Sequence, residues 1–274
     1  MTASLALPQT LRHYREYARV GFVNVLAFRL RYYTGVVTYL INVSVYYFIW
    51  KALYAADPEF ARGFSFDEMT TYVAVGWIIR TVYFNNIDSN ITTEVQNGNI
   101  AASMLKPTSI QAMFIGRALG ESAFRLLLLT IPTGLAISWI FPVSGPASAS
   151  HFGAFVVSLA ASIMLMGALN FIVGAFALRT KSILGLLRAK YYVQELLSGL
   201  LVPMTLFPPM MEQSLAYLPF QHIAYTPLLI YLGKLEGAEL ATALSVQWGW
   251  AAVLLLFGSW FWDQMAKKVT IQGG

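Results

Sequence analysis

The chain has 274 residues, 57% of them hydrophobic and 11% charged, with a formal net charge of +5. A soluble domain carries about 25% charged residues, so most of this chain is not built to face water and its composition belongs to the membrane class. The sequence holds no cysteine, which excludes disulfides, zinc–thiolate sites and Cys nucleophiles.

Residues 1–10 are mild, and Arg12, Arg15, Glu16 and Arg19 stand where the apolar core of a signal peptide would sit. No leader is expected, and the N-terminus is expected to stay on the cytoplasmic side. Over 11–31, Leu11, Tyr14, Ala18, Phe22, Val25 and Leu26 share one helical face, and Arg12, Glu16 and Arg19 share another. That pattern predicts an amphipathic helix lying at the membrane interface, its basic face towards anionic headgroups.

A crossing helix needs about 20 mostly apolar residues. Six stretches qualify: 33–54, 69–90, 118–141, 152–178, 189–208 and 240–262. From the end of the fifth stretch onward, Pro203, Pro208, Pro209, Pro219 and Pro227 break any long helix. The stretch 203–232 therefore reads as short re-entrant helices on the extracellular side, sheltered by protein or a wet cavity. The fold class is an all-α membrane protein with six transmembrane helices, organised as one permease-sized domain over 1–274. No internal repeat or soluble domain is visible.

Positive charge marks the cytoplasmic side. Arg12, Arg15, Arg19, Arg29 and Arg31, then Lys106 and Arg117, then Arg179, Lys181, Arg188 and Lys190, then Lys267 and Lys268 fall on one side. Only Lys51, Arg62 and Lys234 fall on the other. Both termini are therefore expected in the cytoplasm, together with a polar elbow over 92–111 whose centre, 97–111, reads NGNIAASMLKPTSIQ. The flanks 92–96 and 112–117 read as helical extensions of the second and third spans.

No GxxxxGK[ST], HExxH or GxSxG motif occurs. His13, His151 and His222 are scattered and read as interfacial or hydrogen-bonded residues, so no catalytic or metal centre is expected. Arg80 lies about 16 Å into its span at the helical rise, near the bilayer midplane, where a charge faces a partner or a wet cavity. Asn85, Asn86, Asp88, Ser89 and Asn90 follow it. Two readings stay open: a hydrated inner vestibule, or a structural Arg with the Asn cluster at the membrane edge. Glu121 and Arg125 stand in the favourable i,i+4 order for a self-neutralising pair. The partner of Glu195 cannot be read. Tyr39, Tyr46, Tyr47, Trp50 and Tyr54 form a loose stripe that fits an interfacial belt or, for Tyr39, Tyr46 and Trp50, a path for flat or cationic cargo. Ala154, Ser158, Ser162, Asn170 and Gly174 form a small-residue ridge for close helix packing within the subunit.

The stretch TTEVQNGNIAASMLKP, Thr92 to Pro107, resembles the signature G-x-(I/L)-x-x-x-(L/M)-L-(K/R)-P, with Gly98, Ile100, Leu105, Lys106 and Pro107 in register. Phe207-Pro208, Leu218-Pro219, Pro227 and Gly233 fit the spaced prolines ahead of a final span. Together with the order of the spans, these resemble the type-two ABC exporter permeases, and within them the short permeases without a fused ATPase. The long Glu-Ala-Ala signature of importer permeases is absent.

The resemblance implies a permease subunit, not itself an enzyme, that exports hydrophobic or amphipathic compounds by alternating access in a bacterial-type plasma membrane. It implies pairing with a second permease, self or sister, and with two copies of a separate ATP-binding subunit that holds the ATP and magnesium. This chain itself would bind no cofactor. Membrane lipids are the other expected partners, and nucleic acid is not expected. The elbow would be the coupling helix, with Glu94, Gly98, Ile100, Met104, Leu105, Lys106 and Pro107 serving the ATPase contact, and Ile100, Met104 and Leu105 forming its apolar face. The alternative is an ATP-independent secondary carrier or channel, which should show acids deep in the bilayer near broken helices.

Overall fold

A computed structural model of the chain describes residues 9–27, 29–61, 63–180 and 183–267, with side chains described over 12–26, 34–61, 63–180 and 183–267. The regular elements there are all helical. Expectations for the two chain ends, for Arg62, Lys181 and Lys268, and for the side chains of Leu11, Arg29 and Arg31 fall outside these residues. Four helical stretches are long and apolar enough to cross a membrane: Thr34–Ala56, Ile110–Ile140, Ala149–Leu178 and Gly237–Ala266.

Helix α1 (Gln9–Ala27) is followed by α2 (Arg29–Ala56) and α3 (Phe66–Tyr83). Helix α3 starts in a capping box: Glu68 N–H donates to Ser65 Oγ, and Ser65 N–H donates to Glu68 Oε2. From Met69 to Tyr83 every residue of α3 except Ile78 is buried. A helix apolar on all sides belongs at the centre of a bundle, and α3 holds that place here. Tyr72, Val73 and Ala74 join Leu165, Ala224 and Leu228 in the main core.

The expected single span over 69–90 is instead two helices. Helix α3 ends at Tyr83, Phe84 is extended, and α4 (Ile87–Gln96) starts in a new direction. Asn85 explains the break, because its amide competes with the backbone: it donates to Tyr83 O at 3.3 Å and accepts from Ile87 N–H at 3.4 Å.

After the one-turn helix α5 (Ile100–Met104), α6 (Ile110–Arg125) runs through a π turn at Leu126–Thr130 into α7 (Ile131–Ile140). Pro132 follows this π turn; it has no N–H for the regular ladder, and π turns take up such irregularities within a continuing helix. Helix α8 (Ala149–Ala175) carries the small-residue ridge, and Ser158, Ser162, Asn170 and Gly174 are buried against neighbouring helices.

Helix α9 (Leu184–Leu197) has 14 residues and ends well short of the expected 189–208 span. Pro203, Pro208 and Pro209 disfavour helix at and before themselves, and only a 3-10 turn at Met204–Leu206 interrupts the irregular path. Helices α10 (Pro209–Ala216), α11 (Gln221–Tyr231) and α12 (Gly237–Ala266) complete the chain. Gln247 of α12 is fully buried and pins this end of the bundle. Its Nε2 donates to Ser158 O at 3.0 Å and to His222 O at 2.7 Å, while its Oε1 accepts from Ser158 Oγ at 2.8 Å. One amide thus ties α8, α11 and α12.

Helix α1 is not a free interfacial rod. It packs along α6 at backbone contact, where a Cβ added to Gly120 would lie 1.8 Å from Ala18 O and one on Gly21 would lie 2.0 Å from Arg117 O. Phe22 meets Phe124 edge-on at 5.3 Å between ring centroids, and Val25 is buried. Leu26, expected on the same face, is exposed with Val20 and Val23. The contact face is therefore rotated from the one the periodicity suggests, because two glycines set it.

Gly120→Ala should force the two helices apart at a cost of about 1–3 kcal/mol, the usual range for overpacking. Gly153, also within a helix, has nothing within 4 Å of an added Cβ, so Gly153→Ala should leave the thermal midpoint of the purified protein unchanged or slightly raised.

Candidate functional site

Two structures stand out at one end of the bundle: the braced elbow and a polar seam between α3, α4, α8 and α9. The elbow begins where α4 ends. Gly98 has φ +75°, a left-handed conformation that side chains with a Cβ rarely adopt, and it lets the chain double back into α5. Ser109 then caps α6, accepting from Ala112 N–H at 3.4 Å.

Glu94 makes the elbow rigid. One carboxylate oxygen accepts from Ser103 Oγ of α5 at 2.9 Å, and the other accepts from Arg117 of α6 at 2.9 Å. A single side chain of α4 thereby joins both arms and the turn between them. Tyr17 of α1 adds a hydrogen bond to Thr108 Oγ1 at 2.8 Å. Outward, Leu105 is 86% exposed and Met104 is 39% exposed. Lys106 and Pro107 are exposed beside them. Ile100 does not share their face: it is buried among Met113, Phe114 and Ile115. The apolar surface of the elbow is therefore Met104 and Leu105, and Ile100 is its root.

The polar seam answers the questions that Arg80 and Glu195 raise. Arg80 donates to Glu195 Oε1 from Nε at 3.0 Å and from Nη2 at 2.8 Å. Nη2 also reaches Tyr191 OH at 3.0 Å, and Nη1 reaches Tyr39 OH at 3.4 Å. The guanidinium lies 5.4 Å from the centroid of Trp77 and 4.9 Å from that of Phe84. The side chains of the pair are only 10% and 11% exposed, so the charge is paired, hydrogen-bonded and stacked, as burial in a low-dielectric site demands.

Five positions before Glu195 on α9, Lys190 donates to Asp88 Oδ2 and to Asn170 Oδ1, both at 2.6 Å. Asn170 Nδ2 in turn donates to Asn85 O and to Asn85 Oδ1, both at 2.9 Å. Glu121 and Arg125 pair at 2.8 Å as their spacing suggests. Arg125 also donates to Phe84 O at the break.

Beside this seam a cavity of about 260 Å³ is lined by Asn85, Asn86, Asp88, Ser89, Arg188 and Lys190, with Phe84, Leu187, Tyr191 and Tyr192 completing the wall. Of the expected pathway residues, Asn85, Asn86 and Asp88 are on it, while Arg80 and Glu195 are not. The aromatic candidates are elsewhere too. Tyr39 and Tyr46 pack on Trp77 at 5.9 and 6.1 Å between centroids, and Trp50 is buried against Phe60. Lys190 and Tyr191 were not singled out by the sequence, since nothing local marks a cation in an amphipathic stretch as a partner for Asp88.

These features define an all-helical, multi-pass membrane protein with a stiff polar turn joining α4 to α6. The family profile described as ABC-2 family transporter protein matches residues 40–273, and the chain belongs to that family. It is thus an ABC-2 type permease, a membrane subunit of a class that associates with an ATP-binding subunit and is not itself the enzyme. No curated protein matches the chain.

Replacing Arg80 alone by Leu leaves the Glu195 carboxylate buried without its counter-ion, and should destabilise the protein by about 3–5 kcal/mol. The double variant Arg80→Leu, Glu195→Leu should recover most of that loss in thermal unfolding of the purified protein. An Arg80→Leu variant as stable as the parent would show that the pair does not hold α9.

Proposed function

We propose that the chain is the permease half of an ATP-driven exporter of hydrophobic or amphipathic compounds, working with a second permease and two separate ATP-binding subunits. In this reading the membrane is crossed six times. Helices α2, α3, α6–α7, α8 and α12 serve as crossings, and α9 with the irregular 198–208 segment makes another. Residues 203–232 re-enter from the outside, both chain ends and the elbow are cytoplasmic, and the membrane is a bacterial-type plasma membrane. Helix α1, with Arg12, Arg15 and Arg19 exposed, lies at the inner interface.

The observation that carries the reading is the elbow. It presents Leu105 outward from a turn that one carboxylate fixes to both α4 and α6. A flexible loop would absorb a push from a partner, whereas a turn bonded to both arms transmits it. ATP-driven closure of the partner pair then tilts α4 and α6, and the membrane-embedded cavity changes the side it faces. The states interconvert because partner and cargo bind them with different affinity.

The carrier alternative needs a free intramembrane acid to bind a coupling ion. Asp88, Glu121 and Glu195 are each paired with Lys190, Arg125 and Arg80, which speaks against it.

Replacing Leu105 by Asp together with Pro107 by Ala changes only exposed side chains. The variant should insert and keep its thermal midpoint. Co-purification with its ATP-binding partner subunit should weaken by about tenfold, equivalent to 1.4 kcal/mol. Ile100→Ala should do the reverse, lowering stability first, because Ile100 is buried. A Leu105→Asp, Pro107→Ala protein that still binds the ATPase and transports normally would refute the coupling role.

A further inference from the structure

The cavity between α4 and α9 is electrically unbalanced. Its carboxylate, Asp88, is neutralised by Lys190 at 2.6 Å, and Lys190 is further committed to Asn170. Arg188, on the same wall, has no ion pair or hydrogen bond among the described residues. The side chains of Asn86 and Ser89 also line the cavity and hold no hydrogen bond there among the described residues. The lining also holds apolar and aromatic residues, Phe84, Leu187 and the largely exposed Tyr192. Beyond Tyr192, α9 exposes Val193 and Leu196.

Size narrows what fits. Sites for whole drug-sized molecules run to roughly 300–1,000 Å³, and this cavity is about 260 Å³. It has room for a headgroup and the first carbons of a chain, while the apolar face of α9 lies beside it for the remainder. An unneutralised guanidinium favours a phosphate or carboxylate, which it can hold through two parallel hydrogen bonds. A quaternary ammonium headgroup would meet like charge in the same place.

We propose that this cavity binds the anionic headgroup of an amphiphile, with Arg188 as its charge partner, Asn86 and Ser89 as hydrogen-bonding groups, and Phe84, Leu187 and Tyr192 against the first part of the tail. The inference rests on the permease reading only for where a bound amphiphile goes next. Binding itself needs no ATP-binding subunit.

The test uses the full chain in phosphatidylcholine nanodiscs, titrated with decyl phosphate, decyltrimethylammonium and inorganic phosphate. Decyl phosphate should bind at least about tenfold tighter than decyltrimethylammonium. Arg188→Gln should abolish that preference without moving the thermal midpoint, because the residue is exposed, and Arg188→Lys should restore most of it. Doping the nanodiscs with phosphatidylglycerol separates two sources of the same chemistry. Displacement of decyl phosphate identifies a resident membrane lipid as the occupant, and no displacement identifies a single-chain amphiphile. Equal binding of the two decyl compounds, an unchanged preference in Arg188→Gln, or competition by inorganic phosphate at the same concentration as decyl phosphate would overturn the proposal. None of these readouts involves the ATPase, so failure here leaves the elbow's role standing, and failure of the elbow variants leaves this site standing.

Discussion

Between α3 and α4 the backbone gives up its own hydrogen bonds inside the bundle, and the neighbouring helices replace them. Val82 O accepts from Ser122 at 2.6 Å, Phe84 O accepts from Arg125, and Asn85 O accepts from Asn170 at 2.9 Å. A backbone group left unpaired in hydrocarbon costs several kcal/mol, so the three donors on α6 and α8 are conditions for the break to exist. The break in turn redirects α4 towards the elbow and turns Asn85, Asn86 and Asp88 towards the cavity. Much of what the chain can do at that end follows from this one interruption.

Helix α9 is held on different terms. Its link to the bundle runs through long polar side chains: Glu195 and Tyr191 to Arg80, Lys190 to Asp88 and Asn170, and Gln194 to Met166. Contacts of that length leave space between backbones, and the cavity occupies it. Elsewhere the opposite rule applies. Small residues along α8 bring α4, α11 and α12 close, and two glycines bring α1 onto α6. The molecule thus combines tightly apposed pairs with one helix set off by ionic spacers.

Features that depend on nearby residues were legible in the sequence. Four of the six apolar stretches, the Glu121–Arg125 pair and the disruption by Pro203, Pro208 and Pro209 all follow from spacing of a few positions. What stayed hidden depends on residues far apart in the chain. Arg80 meets Glu195 and Tyr191 across 115 and 111 positions, and no periodicity encodes such a meeting. In sequence Ile100 reads as part of the outer face, because a one-turn helix offers too few residues to define an inside. The break after Tyr83 is hidden when a crossing of about 20 residues is required of the stretch, although the polar run from Asn85 to Asn90 is its signal. Trp50 and Tyr46 look like a belt or a path in sequence, and in the structure they pack on Phe60 and Trp77.

The seating of α1 has a mechanical consequence. Gly21 and Gly120 allow carbonyl-to-helix contact, and Tyr17 bonds the far side of the turn at Thr108, so α1 cannot stay behind when α6 swings. Its outward side shows Val20, Val23 and Leu26 near the exposed Arg12, Arg15 and Arg19, the surface of a float at an oil–water boundary. If the elbow is driven as proposed, each stroke would drag that float through the lipid headgroups. In that reading the viscosity and lateral pressure of the surrounding leaflet would load the stroke, and working speed would be a property of the bilayer as well as of the partner's nucleotide cycle.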